Sequence, residues 1–225
     1  MRRCPVMLDI TTISAESDLI DQELKVQLSD ILKKMEDPVT IKAVVDISRE
    51  KDLQMASFLK TIVSLSEKLQ LELYSPEEGD QVSELDTAFL PVTGLYKVGS
   101  YGRCAFHGIP GGKEINSFIL AIYNLAGPGQ KISGGLKKKI SKLKTKTNIK
   151  ICVSLSCHHC PVVVTACQQI AILNPVIEAE MIDAALYGDL VEKYNIERVP
   201  MVIFNDKEIH MGNKTIEEIV TLLNK

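Results

Sequence analysis

Apolar residues recur at three- and four-residue steps through Leu19, Ile20, Leu24, Leu28, Ile31, Leu32 and Met35, which is the stripe of an amphipathic helix. Pro38 closes that stretch, because the residue before a proline is pushed out of the helical region. The period then changes. VTIKAVVDI alternates and is rich in β-branched residues, LQMASFLKTIVSLSEKL returns to helical spacing, and LELYS reads as a short strand. FLPVTGLYKV and YGRCAFHG predict two adjacent strands, and INSFILAIYNLAG predicts a helix with Gly127 past its end. Residues 1–18 show no useful periodicity and are taken as an N-terminal extension.

The remaining chain repeats the plan. LKKKISKLKTK predicts a helix, IKICVSL a strand, VVVTACQQIAIL a helix and IEAEMID a strand; VPMVIFN, KEIHMG and a helix from Thr215 follow. A shift of 108 residues lays VVDISREKDLQMASF over CVSLSCHHCPVVVTA and LQLELYS over IEAEMID; a shift of 109 lays Leu90-Pro91-Val92 over Val199-Pro200-Met201. Two copies of one βαβββα-type module are therefore expected, over residues 19–128 and 129–225, building an α/β fold with a mixed sheet covered by helices. Cys157 overlies Arg49 and Cys160 overlies Asp52, so thiol chemistry is open only to the second copy.

Composition narrows the function. With 225 residues, 45% hydrophobic and 24% charged, the chain can bury a sizeable core. A net charge of -3 gives no overall attraction to nucleic acid or anionic membrane. Cys4, Pro5 and Asp9 interrupt what an export signal would need, and no run of about 18 apolar residues spans a bilayer. Six cysteines, Cys4, Cys104, Cys152, Cys157, Cys160 and Cys167, are too scattered for a secreted disulfide scaffold, so a cytoplasmic protein is expected.

The chemistry concentrates in SLSCHHCP. A helix beginning near His158 would put Cys157 at its N-terminus, where unpaired N–H groups favour a thiolate, with Cys160 one turn further in as a less exposed resolving thiol. His158 and His159 either stabilise that thiolate and raise the potential, or point into water. A CxxC is also half of a metal site; no second ligand pair accompanies it, and a non-catalytic module binding metal or an iron–sulfur cluster is the rival reading. Cys152 and Cys167 read as core, and Cys4 and Cys104 as isolated cysteines. Eight lysines and no acidic residue lie between Lys131 and Lys150: a solvated linking helix, or an electrostatic guide for an acidic protein partner. No aromatic residue is there to stack bases, so nucleic acid is not expected.

SLSCHHCP, AILNP, NIERVPMVIFNDKE and TIEEIV, with the cysteine-free copy and GGKEINSFILAI upstream, together resemble the thioredoxin/glutaredoxin-like N-terminal domain of the alkyl hydroperoxide reductase flavoprotein subunit, over roughly residues 20–225. The resemblance implies two tandem thioredoxin-like modules sharing a mixed β-sheet flanked by helices. It implies Cys157 as the nucleophile, Cys160 as its resolving partner, Pro200 as a cis-proline packed against the disulfide, and the backbone of Val199 as a substrate-binding strand. Glu114 would act on the proton of Cys157, or else be a solvated residue at a helix start. Electrons would pass from a thioredoxin-reductase-like flavoprotein to a peroxiredoxin or other disulfide-bearing protein. No GxGxxG follows a strand, so flavin is expected only on a separate partner and no cofactor here, and GIPGGKE reads as a glycine turn before a helix because it does not meet GxxxxGK[ST].

Overall fold

The computed structural model describes residue 11 and residues 13–224. The reading of Cys4, and of all of the first ten positions, falls outside them. The elements run α1 (Gln22–Leu32), β1 (Val39–Val44), α2 (Glu50–Val63), β2 (Leu69–Tyr74), β3 (Val92–Lys97), β4 (Ser100–His107), α3 (Ile115–Ala126), α4 (Gly134–Ile140), β5 (Thr147–Val153), α5 (Cys160–Leu173), β6 (Ile177–Asp183), α6 (Gly188–Tyr194), β7 (Met201–Phe204), β8 (Glu208–Met211) and α7 (Ile216–Leu223). Short 3-10 turns at Pro76–Val82 and Gly112–Glu114 complete them.

The eight strands among the described residues form one sheet in the order β2-β1-β3-β4-β6-β5-β7-β8. The second four repeat the order of the first four. Within each half the first two strands are parallel and the last two antiparallel additions, and the halves join through the parallel pair β4–β6, where Cys104 faces Ala179 and His107 faces Ile182. This is the expected pair of tandem thioredoxin-like modules on one mixed sheet.

Strand alternation decides what covers each face. Val39, Ile41 and Ala43 of β1 and Ile149, Ile151 and Val153 of β5 point into one continuous core with Phe58, Leu59, Phe118, Ile122, Val163 and Ile170 of α2, α3 and α5. The opposite face carries two smaller clusters: Val44, Tyr74, Val82 and Val92 beneath the 3-10 turn, and Cys152, Ile182, Leu190 and Tyr194 beneath α6. Neither α6 nor the 3-10 turn at 76–82 was signalled by periodicity, since each offers only two buried side chains or fewer than two turns of α-helix to read.

Two boundaries move in ways that matter. The helix expected over 136–146 ends at Ile140, and the chain then turns, with the Asn174 side-chain amide donating to the carbonyls of Ile140 and Leu143 at 2.6 and 3.1 Å. The helix expected from His158 begins at Cys160, with His159 as its N-cap and Pro161 in the first turn, where a missing N–H costs nothing. Cys157 is therefore ahead of the helix, and Cys160 opens it.

Candidate redox site

The site forms where the C-terminal ends of β4, β6 and β5 lie side by side. Beyond β5 the chain makes a turn closed by the Cys157 N–H donating to the Ser154 carbonyl at 2.9 Å, which presents Cys157 half-buried at the surface. Cys160 is fully buried beneath it, and both are free thiols. Burial first, and then its hydrogen bond to Cys157, push the Cys160 thiol well up, against a smaller lowering by the Ser154 N–H. The pair is thus asymmetric: an accessible sulfur above a proton-holding one.

The Val199-Pro200 bond is cis, as the resemblance implied, and the Val199 carbonyl lies 3.9 Å from the Cys157 sulfur. Val199 is half-buried and Pro200 buried. The first half mirrors this loop: Leu90-Pro91 is also cis, and the Gly108 N–H donates to Pro91 as the Gly212 N–H donates to Pro200, both at 2.9 Å. Asp52 stands where Cys160 stands in the other copy, and its carboxylate accepts the Asp46 N–H at 2.9 Å just as the Cys160 sulfur accepts that of Ser154. Burial raises the Asp52 carboxyl, and Arg49 lies 3.4 Å away. The alignment that set Asp52 over Cys160 is a spatial equivalence.

Glu114 comes from the first half and sits in the second half's site. Gly112, at φ +54, lets the turn press against the cysteine loop: a Cβ there would stand 2.6 Å from the Leu155 carbonyl, and the next N–H, that of Lys113, donates to the same carbonyl at 2.9 Å. Glu114 follows, fully buried, one oxygen taken by the Ser117 hydroxyl and the other without a partner among the described residues. Burial pushes its carboxyl up to about 7, the Ser117 hydrogen bond opposing and the charge of Asp183 adding to the rise. It is not the solvated helix-start residue that was the alternative, and its charge is among the influences that raise the Cys160 thiol.

His158 and His159 are both exposed beside Cys157. Cys104, Cys152 and Cys167 are buried in the core, where burial pushes each thiol up, Cys152 to about 12. The described residues hold no group of three or more His, Cys, Asp or Glu side chains placed to bind a metal, and so give the rival reading no donor set. The lysine-rich segment packs Leu136, Ile140 and Leu143 inward and turns Lys137, Lys138, Lys139, Lys142, Lys144 and Lys146 outward. It gathers around Asn174 at the C-terminal end of α5, a helix of 14 residues whose other end is Cys160. At 1.5 Å per residue that is about 20 Å from the dithiol, at the opposite pole.

Sequence reasoning missed two contributors. Asp183 ends β6 as the register partner of Val153, and its signal was only the last letter of IEAEMID. His107, fully buried, bonds the Phe89 carbonyl through Nδ1 at 2.8 Å and Glu180 through Nε2 at 3.1 Å, tying the first half's proline loop to β6.

A thioredoxin domain model matches residues 147–224, the stretch that holds both cysteines and the cis-proline. The AhpF component of alkyl hydroperoxide reductase in Pseudomonas aeruginosa is 31% identical over 206 residues, 92% of this chain and 37% of that protein. The structure of the alkyl hydroperoxide reductase component AhpF of Enterococcus faecalis superposes with a TM-score of 0.86 at 36% identity, covering 92% of this chain and 100% of that one. A protein disulfide oxidoreductase from Aeropyrum pernix shares the fold, with a TM-score of 0.80 at 23% identity and 92% of each chain covered. This chain spans about 37% of the length of the curated relatives it matches.

Proposed function

The chain belongs to the family of the N-terminal tandem thioredoxin-like domain of AhpF, a thiol–disulfide oxidoreductase fold, and from that premise we propose that it carries electrons from a thioredoxin-reductase-like flavoprotein unit to a disulfide-bearing acceptor such as a peroxiredoxin. The observation that carries this reading is the sulfur pair: Cys157 half-buried against the Val199 carbonyl at 3.9 Å, with Cys160 buried below it. Residues 19–128 serve as the scaffold module and 129–225 as the active one. No helix among the described residues is long and apolar enough to cross a membrane, and the place of work is the cytoplasm, where a dithiol is kept in turnover.

The Cys157 thiolate attacks one sulfur of the acceptor disulfide, and the other acceptor sulfur leaves as thiolate. The mixed disulfide lies beside Pro200, with the acceptor backbone along Val199 as an added strand. Exposed His158 and His159 flank Cys157 on the solvent side, where the acceptor arrives. Glu114 removes the Cys160 proton, the Cys160 sulfur attacks Cys157, and the second acceptor sulfur is released. Two electrons have then moved to the acceptor and a Cys157–Cys160 disulfide remains for the flavoprotein unit to reduce.

The test is trapping. Mixed with an oxidised peroxiredoxin, Cys160→Ser should accumulate a covalent adduct through Cys157, and Cys157→Ser should form none and transfer nothing. A Cys160→Ser protein that turns over normally overturns the dithiol scheme.

A further inference from the structure

The first half keeps the frame of the redox site without its sulfurs. Val44 pairs with Val92 and Cys152 with Met201, so the register that sets Ser154 opposite Val199 also sets Asp46 opposite Leu90. The turn that follows is closed alike: the Arg49 N–H donates to the Asp46 carbonyl at 2.9 Å, as the Cys157 N–H does to that of Ser154. Arg49 therefore stands beside the Leu90-Pro91 loop where Cys157 stands beside Val199-Pro200, its side chain half exposed and its Nε 3.4 Å from Asp52. The loop is anchored on both sides of Leu90. The Phe89 carbonyl accepts from His107 Nδ1 at 2.8 Å and from the Tyr187 hydroxyl at 3.4 Å; the Pro91 carbonyl accepts from the Gly108 N–H at 2.9 Å and from the same hydroxyl at 3.4 Å. Leu90 between them is half-buried, and its own N–H and carbonyl take no hydrogen bond among the described residues. A backbone held in place with one donor and one acceptor unpaired is an edge that another chain can extend. Beside it, Ile47 in the turn and Leu53 in the first turn of α2 are 48% and 40% exposed.

We propose that this loop is a second docking point for the disulfide-bearing acceptor: an extended segment of the acceptor, apart from its disulfide, lies along Leu90 with apolar side chains against Ile47 and Leu53. The segment is held there without being attacked, because a guanidinium stands where the other half has its thiol. The proposal rests on the reading above that an acceptor protein meets the chain beside Val199. One partner can reach both loops. The starts of β3 and β7 lie at one end of the sheet, four strand spacings apart in the order β3-β4-β6-β5-β7. At about 4.8 Å each that is about 19 Å. A protein interface of standard size covers about 800 Å² of one partner, a patch roughly 30 Å across, and so takes in both loops. Two points of attachment on one partner strengthen each other, since the second binds as an intramolecular event.

The experiment reduces the full chain with dithiothreitol, removes the reductant and mixes the protein with increasing concentrations of an oxidised peroxiredoxin, reading the limiting rate of a single turnover and the concentration that half-saturates it. Ile47→Asp and Leu53→Asp, both at exposed positions, should each raise the half-saturating concentration about tenfold and leave the limiting rate unchanged. Reaction with oxidised glutathione, too small to reach both loops, should stay as in the wild type. Val26→Asp, on α1 and 56% exposed, should change neither reaction. As a second measurement, Cys160→Ser with a benzophenone-bearing side chain in place of Ile47 holds the peroxiredoxin through Cys157; irradiation should then crosslink it at a segment away from its disulfide. Half-saturating concentrations unmoved by both substitutions, with no such crosslink, overturn the proposal. So does a loss shared equally by oxidised glutathione, which would place the effect at the dithiol, or a crosslink to a second copy of this chain in place of the peroxiredoxin. A wild type that reacts with oxidised glutathione and not with the peroxiredoxin removes the acceptor reading, and the docking point with it.

Discussion

Replacing Glu114 by Gln should stabilise the protein, and only at high pH. The ordinary carboxyl value is 4.5, and in the folded protein burial, opposed by the Ser117 hydrogen bond and helped by Asp183, raises it to about 7. Between those values the folded state binds more protons than the unfolded chain, so the contribution of Glu114 is fully present below pH 4.5 and is lost as pH climbs through about 7. At about 1.4 kcal/mol for each tenfold change in proton affinity, the loss amounts to roughly 3 kcal/mol. Glutamine keeps an acceptor for the Ser117 hydroxyl and does not titrate, so it escapes the loss. Urea unfolding of both proteins at pH 5 and pH 8 isolates the effect, because every other titrating group is common to the pair. The account predicts near-equal stability at pH 5 and a variant more stable by about 2 to 3 kcal/mol at pH 8, with slower disulfide transfer. Equal stability at pH 8, or a variant weakened at both, would show that Glu114 is not a desolvated carboxyl.

Two further changes test the scaffold around the site. Gly112→Ala meets the Leu155 carbonyl at 2.6 Å in a backbone region that alanine disfavours, so it should cost about 1–3 kcal/mol in urea unfolding and change the rate at which iodoacetamide alkylates Cys157, the loop it displaces. His107→Ala removes one of the groups that outweigh burial at Glu180 and leaves the Asn148 amide and Lys150, so the folded carboxyl rises; urea unfolding should show a loss of about 1–3 kcal/mol, larger at pH 8 than at pH 5.

The periodic parts of the chain were legible, and so was the repeat. Strands such as IEAEMID needed only alternation, and the 108-residue shift placed Asp52 over Cys160, which the shared hydrogen bond to the preceding strand end bears out. Cys157 and Cys160 stood out because their spacing carries the chemistry. Less legible was anything set by contacts between the halves. Glu114 lies more than forty residues from the cysteines and entered only through family resemblance, since its burial depends on Gly112 fitting under Leu155. Asp183 and His107 carry no local signature, because each gains its role from a strand neighbour in the other half or next to it. The start of α5 was misplaced by two residues for a similar reason: the turn from Ser154 to Cys157 is closed by a backbone bond that composition does not announce. The lysine-rich segment was visible as charge, yet its distance from the dithiol required knowing which end of α5 it joins.

The most direct test of the central claim is a redox titration of the purified protein in dithiol buffers, read by alkylation and peptide mass spectrometry. The account predicts one reversible two-electron couple confined to Cys157 and Cys160, with a potential between roughly -270 and -180 mV. A titration in which these two sulfurs never pair reversibly would contradict it.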